Sequence, residues 1–135
     1  MTDRVGLQLG NYRFIRILGR GGFADVYLGE HIRLGTHTAI KILYTRLADK
    51  DDVESFEQEA RTIAHLNHPH IVRVLDYDVK DDIPFLVMDY APGGTLRKRH
   101  PKGTTLPLTA ITSYVKQIAD ALQYARRRLS ASHRR

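Results

Sequence analysis

Three glycines within four residues, Gly19-Arg20-Gly21-Gly22, separate two runs of alternating apolar residues, and that arrangement restricts the start of the chain to a hairpin. Before the glycines, Tyr12, Phe14, Arg16 and Leu18 fall on one face of an extended segment and Arg13, Ile15 and Ile17 on the other. After them, Val26 and Leu28 alternate with Asp25 and Tyr27 as far as Glu30. Gly35 then turns the chain into a third strand, Thr36 to Leu43.

The period changes further on. Between Asp51 and Leu66, Val53, Phe56, Ala60, Ile63 and Ala64 recur at helical spacing, with Asp51 and Glu54 placed as a capping pair and Pro69 beyond the end. Ile71 to Val79 and Pro84 to Asp89 read as short strands joined by the acidic turn Lys80-Asp81-Asp82. Pro92-Gly93-Gly94 marks a linker. From Pro107 to Tyr124, Ile111, Tyr114, Val115, Ile118, Ala121 and Leu122 form one helical stripe.

With 135 residues and 42% hydrophobic content, the chain has the size of about one soluble domain. It has no cysteine, so no disulfide framework or thiolate metal site holds it, and a reducing cytoplasm is the expected compartment. No apolar run approaches the roughly 20 residues of a membrane span, and the amino terminus has no apolar stretch of signal-peptide length. The net charge of +6 is uneven. Met1 to Tyr90 carries 11 Lys and Arg against 14 Asp and Glu, whereas Ala91 to Arg135 carries 10 against one. The clusters Arg97-Lys98-Arg99-His100-Pro101-Lys102 and Arg126-Arg127-Arg128 have no interleaved aromatics to stack on bases, so a solvated basic face is expected rather than a nucleic-acid groove.

Gly19-Arg20-Gly21-Gly22-Phe23-Ala24 loosely fits a dinucleotide-binding turn, but that motif needs a helix directly after the glycines, and here a strand follows. A glycine hairpin whose backbone N–H groups approach phosphate oxygens is the alternative, beside an ordinary turn. Lys41 favours the phosphate reading. In Thr38-Ala39-Ile40-Lys41-Ile42-Leu43 it shares a face with Ala39 and Leu43, and a cation on an apolar face needs an anion. Glu59, about 60° from Phe56 and about 40° from Ile63 around the helix axis, is the expected carboxylate partner, with an edge position as the bland alternative. His65, His68 and His70 do not fall on one helix face and have no carboxylate to complete a metal set, so no metal site is expected.

These residues resemble the amino-terminal lobe of a bacterial, eukaryotic-like serine/threonine protein kinase. Leu18 to Val26 is similar to the glycine-rich loop, Ala39-Ile40-Lys41 to the Ala-Ile-Lys of the third strand, and Glu59-Ala60 to the regulatory-helix glutamate. His68-Pro69-His70-Ile71-Val72 is similar to the family's His-Pro-Asn-Ile-Val, Leu86 to Leu96 to its hinge, and Ala121 to Ala125 to the end of the first large helix of the second lobe. The resemblance implies an α+β fold: a five-stranded antiparallel sheet plus one helix over residues 1–90, the hinge and two helices of an incomplete second lobe over 91–125, and a divergent basic tail over 126–135. It also implies ATP as ligand. The glycine loop, from Gly19, Arg20, Gly21, Gly22 and Phe23 to Ala24, would cover the phosphates, and Leu18, Val26 and Ala39 the adenine. Met88 would stand at the back of the pocket, backbone groups of Asp89 and Ala91 would hold the adenine edge, and Lys41 paired with Glu59 would contact the α- and β-phosphates.

Departures from the family follow. Ala24 replaces the third glycine and Asp89 the usual hinge glutamate. From Arg126 onward no His-Arg-Asp with its Asn, and no Asp-Phe-Gly, occurs, so the catalytic base and the family's Mg²⁺ ligands are missing from this chain. The change in composition there reads as a truncation or a shifted frame. The expectation is weak ATP binding, no meaningful turnover unaided, and exposed apolar surface on the last helix open to a protein partner such as a full-length kinase. Arg127-Arg128-Leu129-Ser130 resembles a basophilic kinase substrate site.

Overall fold

The strand runs and helical stripes assemble as follows in a computed structural model that describes residues 3–47 and 49–133. In chain order the elements are β1 (Gln8–Leu9), β2 (Tyr12–Arg20), β3 (Ala24–His31), β4 (His37–Leu43), α1 (Lys50–Ala64), β5 (Val74–Lys80), β6 (Ile83–Asp89), α2 (Leu96–Arg99) and α3 (Leu108–His133). The strands form one antiparallel sheet in the order β1-β2-β3-β4-β6-β5. It has six strands rather than five because the chain turns at Gly10 (φ 58°) and pairs Gln8 and Leu9 with Arg13 and Tyr12.

Two compact units divide the chain: the residues up to His65 together with Arg73–Tyr90, and Leu66–Val72 together with the chain from Ala91 onward. In the first, Phe14, Tyr27, Ile40, Ile42, Phe85 and Val87 make the core on one face of the sheet, with Phe14 stacked on Tyr27 at 5.0 Å between ring centres. Simple alternation misassigns part of β2. Bulges between Phe14 and Arg16 and between Ile17 and Gly19 shift the register, so Ile17 packs beside Phe14 on the core face while Ile15 is exposed. The sheet curls. Arg16 Nη2 on β2 donates to the Tyr90 hydroxyl just past β6 at 3.2 Å. Burial first, and the Asp76 carboxylate of β5 second, raise the Tyr12 phenol above its ordinary value.

α1 begins at Lys50, so Asp51 lies within the first turn instead of capping it, and Asp49 at the N-cap makes no side-chain capping bond. The helix is held to β5 by the single buried residue Ala60, an edge contact of Phe56 on Tyr77, and the bond from Arg61 Nε to the Tyr77 hydroxyl at 3.1 Å. Strand β5 starts at Val74 rather than Ile71, because the Ile71 N–H closes a turn on the His68 carbonyl at 3.1 Å.

In the second unit, Thr95 Oγ1 caps α2 by accepting from the Lys98 N–H, and His100 Nε2 meets the Tyr114 hydroxyl at 2.8 Å. α3 continues past Tyr124 to His133. No glycine or proline interrupts that stretch, arginine favours helix, and Arg128 lies over the Tyr124 ring one turn back at 5.5 Å. Residues 126–133 therefore continue the helix, and Ser130 lies within it.

Candidate functional site

Cross-strand register shows which side chains Lys41 has as neighbours. Val26, Lys41 and Leu86 stand directly opposite one another across β3, β4 and β6, and Leu28, Ala39 and Met88 form the next row. Directly opposed residues share a face, so these six line the side of the sheet away from the aromatic core. Leu28 and Ala39 are buried, and Val26, Lys41, Leu86 and Met88 are half-buried. Leu18 sits at the second bulge of β2, and Gly19 opposes Val26.

The sheet therefore brings Val26, Ala39, Lys41 and Met88 onto one apolar surface with the glycine turn at its end. Asp89 pairs with Thr38 in the sheet, and its N–H donates to the Arg73 carbonyl at 3.0 Å. Ala91 opens the second unit's part of the chain.

Lys41 and Glu59 do not form an ion pair; among the described residues the Lys41 ammonium makes no ion pair or hydrogen bond, and Glu59 is exposed. The rotation of α1 explains this. The side of the helix turned inward centres on Ala60, flanked by half-buried Val53, Phe56, Ile63 and Ala64, and Glu59 lies about 100° around the axis from that centre. The apolar spacing defined the stripe but not which edge of it leads.

The glycine turn has an unusual property. Gly19, Gly21 and Gly22 all lie outside the left-handed region that favours glycine. A β-carbon would meet no atom within 4 Å at Gly19 or Gly22, and only the Ala24 carbonyl, at an ordinary 3.5 Å, at Gly21. Neither backbone conformation nor crowding inside the chain calls for glycine there. Phe23 at the tip is 86% exposed.

A second group at the turn escaped the sequence reading. Tyr44, just past β4, donates its N–H to the Phe23 carbonyl at 2.9 Å. Its hydroxyl is directed at Asp25 Oδ1 at 2.5 Å, with the Gly21 carbonyl 3.1 Å away. Asp25, buried at 6% exposure, also faces Arg20 Nη1 at 3.5 Å. The hydrogen bond to Asp25 foremost, then burial, raises the Tyr44 phenol above its ordinary value. Only the paired register of β2 and β3 makes this cluster visible, since Arg20 and Asp25 are cross-strand partners.

No group of three or more His, Cys, Asp or Glu side chains gathers in metal-binding geometry among the described residues. His65 Nδ1 lies 2.6 Å from the Arg61 carbonyl, and His68 packs on Tyr124 with ring centres 5.2 Å apart. No helix of the structure is long and apolar enough to cross a membrane.

Residues 12–134 match the protein kinase domain. The serine/threonine-protein kinase Pkn1 of Myxococcus xanthus is 38% identical over 125 residues, which is 92% of this chain and 18% of that protein. PrkC of Bacillus subtilis is 37% identical over 117 residues, 86% of this chain and again 18% of the relative. The chain thus spans about 18% of the length of these curated relatives. Among solved structures, a mutant form of the Mycobacterium tuberculosis PknI kinase domain superposes with a TM-score of 0.81 at 30% identity, over 95% of this chain and 53% of that one.

Proposed function

The chain belongs to the protein kinase domain family, as a fragment similar to bacterial serine/threonine kinases, and from that premise we propose that it is the ATP-gripping portion of such an enzyme. Lys41 carries the reading. It is a half-buried cation with no anionic partner among the described residues, on an apolar face beside glycines that the chain's own sterics do not require. Burying part of a charge without a partner is costly, and phosphate oxygens supply the missing counter-charge. In this reading the Gly19–Ala24 turn lets backbone N–H groups approach the phosphates, Leu18, Val26 and Ala39 cover the adenine, and Met88 backs it. The Asp89 carbonyl and the Ala91 N–H hold the adenine edge, because the Asp89 N–H is already committed to Arg73. Glu59 joins Lys41 only if α1 turns to bring it toward β4.

ATP fits the residues present; Mg²⁺ does not, since among the described residues no set of carboxylates assembles in metal-binding geometry and no Asp-Phe-Gly occurs in these 135 residues. Phosphoryl transfer depends on positioning and on metal charge at the transferred group. This chain alone therefore binds nucleotide without turning it over. Titration with a fluorescent ATP analogue tests the grip: saturable binding by the wild-type protein, weakened about tenfold or more in Lys41→Met, is expected. Equal binding by both proteins would refute the role of Lys41, and radiolabelled phosphate transfer at an ordinary kinase rate would refute inactivity.

A second reading, a non-catalytic module that docks on a complete kinase, is favoured by the exposed apolar row Ile111, Val115, Ile118 and Leu122 on α3. It predicts no saturable nucleotide binding, together with capture of such a kinase that Val115→Lys with Leu122→Lys abolishes.

A further inference from the structure

We propose that Tyr44 is a positioning residue that braces the glycine-rich turn against the end of β4 and so sets the distance between the turn's backbone and Lys41. The inference deepens the nucleotide reading and rests on it. Three contacts from one residue converge on the turn: the Tyr44 N–H on the Phe23 carbonyl, and the hydroxyl on Asp25 Oδ1 and toward the Gly21 carbonyl. Asp25 is buried and tied to Arg20 across the hairpin, so the brace grips both arms of the turn.

Its place in the sheet gives it leverage. Asp25 alternates with Val26, so the carboxylate lies on the opposite face from Lys41. The brace therefore holds the hairpin from behind and leaves the Lys41 face open. Tyr44 follows Lys41 by three residues on the same strand end, so any slack between Tyr44 and the turn becomes slack between Lys41 and the turn's N–H groups. A hydroxyl bonded to a buried carboxylate resists such slack more than an exposed pair would, because opening it leaves the carboxylate with only the longer Arg20 contact.

The test compares wild type, Tyr44→Phe, Asp25→Asn and the double variant by two measurements. Amide hydrogen exchange without nucleotide reports the brace itself: residues 21–25 should exchange about three- to tenfold faster in Tyr44→Phe, while β4 and β6 are unchanged. Binding of ATP and of adenosine reports positioning. Tyr44→Phe should weaken ATP about three- to tenfold and leave adenosine unaltered, because only the phosphates meet the turn. The double variant should weaken ATP by less than the product of the two single effects, as expected of two groups that share a contact, with Asp25→Asn also losing the Arg20 pair. Unchanged exchange in Tyr44→Phe, or equal weakening of ATP and adenosine, would overturn the proposal. Wild-type protein that binds neither ligand would sink the nucleotide reading and the positioning role with it, and faster exchange in Tyr44→Phe would show that the brace itself was not what failed.

Discussion

Gly22 and Gly29 lack side chains for opposite reasons. A β-carbon on Gly22 would meet nothing within 4 Å, whereas one on Gly29 would collide with Ile40, whose Cγ1 would lie 2.9 Å away, and press on Thr38 Oγ1 at 3.3 Å. Ile40 is fully buried and cannot swing clear. Gly29→Ala is therefore expected to destabilise the fold by about 1–3 kcal/mol through overpacking. Gly22→Ala should leave the denaturation midpoint unchanged or slightly raised, by up to about 1 kcal/mol, since it mainly restricts the unfolded chain. Only Gly22→Ala should weaken ATP, and denaturant titrations paired with nucleotide binding measure both effects. The glycine cluster was legible in the sequence as a turn. That its glycines are sterically unneeded, and that Gly29 is needed, depends on neighbours across the sheet that no local pattern displays.

The elements were legible where one period holds without interruption. β3 and β4 keep strict alternation, so Lys41 and Ala39 could be assigned to one face from spacing, and the register adds Val26 to that face. β2 breaks the rule with two bulges, which cost one residue each and become visible only against the partner strand. In α1 the apolar stripe was evident, but its lead edge, and with it the place of Glu59, follows from packing on Tyr77 and β5. The β5–β6 hairpin shows a local choice that the sheet overrides. Asp81 (φ 51°) and Asp82 (φ 64°) both adopt the left-handed conformation, a turn that favours glycine at its second position. Asp82→Gly is expected to stabilise the protein by about 0.5–1 kcal/mol, read as a shift in the urea midpoint without a change in slope. A loss of stability would show that the Asp82 side chain, beyond its carbonyl bond from the Leu47 N–H, has a role of its own.

At the scale of the whole chain, charge and apolar surface separate. The acidic part carries the sheet and the Lys41 face; the basic part carries α2 and α3, whose arginines extend the helix rather than form a separate tail. Of the apolar stripe, Ile111, Val115, Ile118 and Leu122 are exposed along α3. The kinase-like order of motifs was readable because each occupies a short stretch with its own chemistry. The Tyr44 brace and the unpaired Lys41 were not, because both depend on how separate stretches meet. The central claim is that ATP is gripped by the Lys41 face and the glycine turn, and amide NMR of the whole chain titrated with ATP tests it most directly. The account predicts saturable shifts at Gly19, Gly21, Gly22, Ala39, Lys41 and Met88 that disappear in Lys41→Met. Shifts centred on Arg97–Lys102 or Arg126–Arg128, with the glycine turn unmoved, would contradict it.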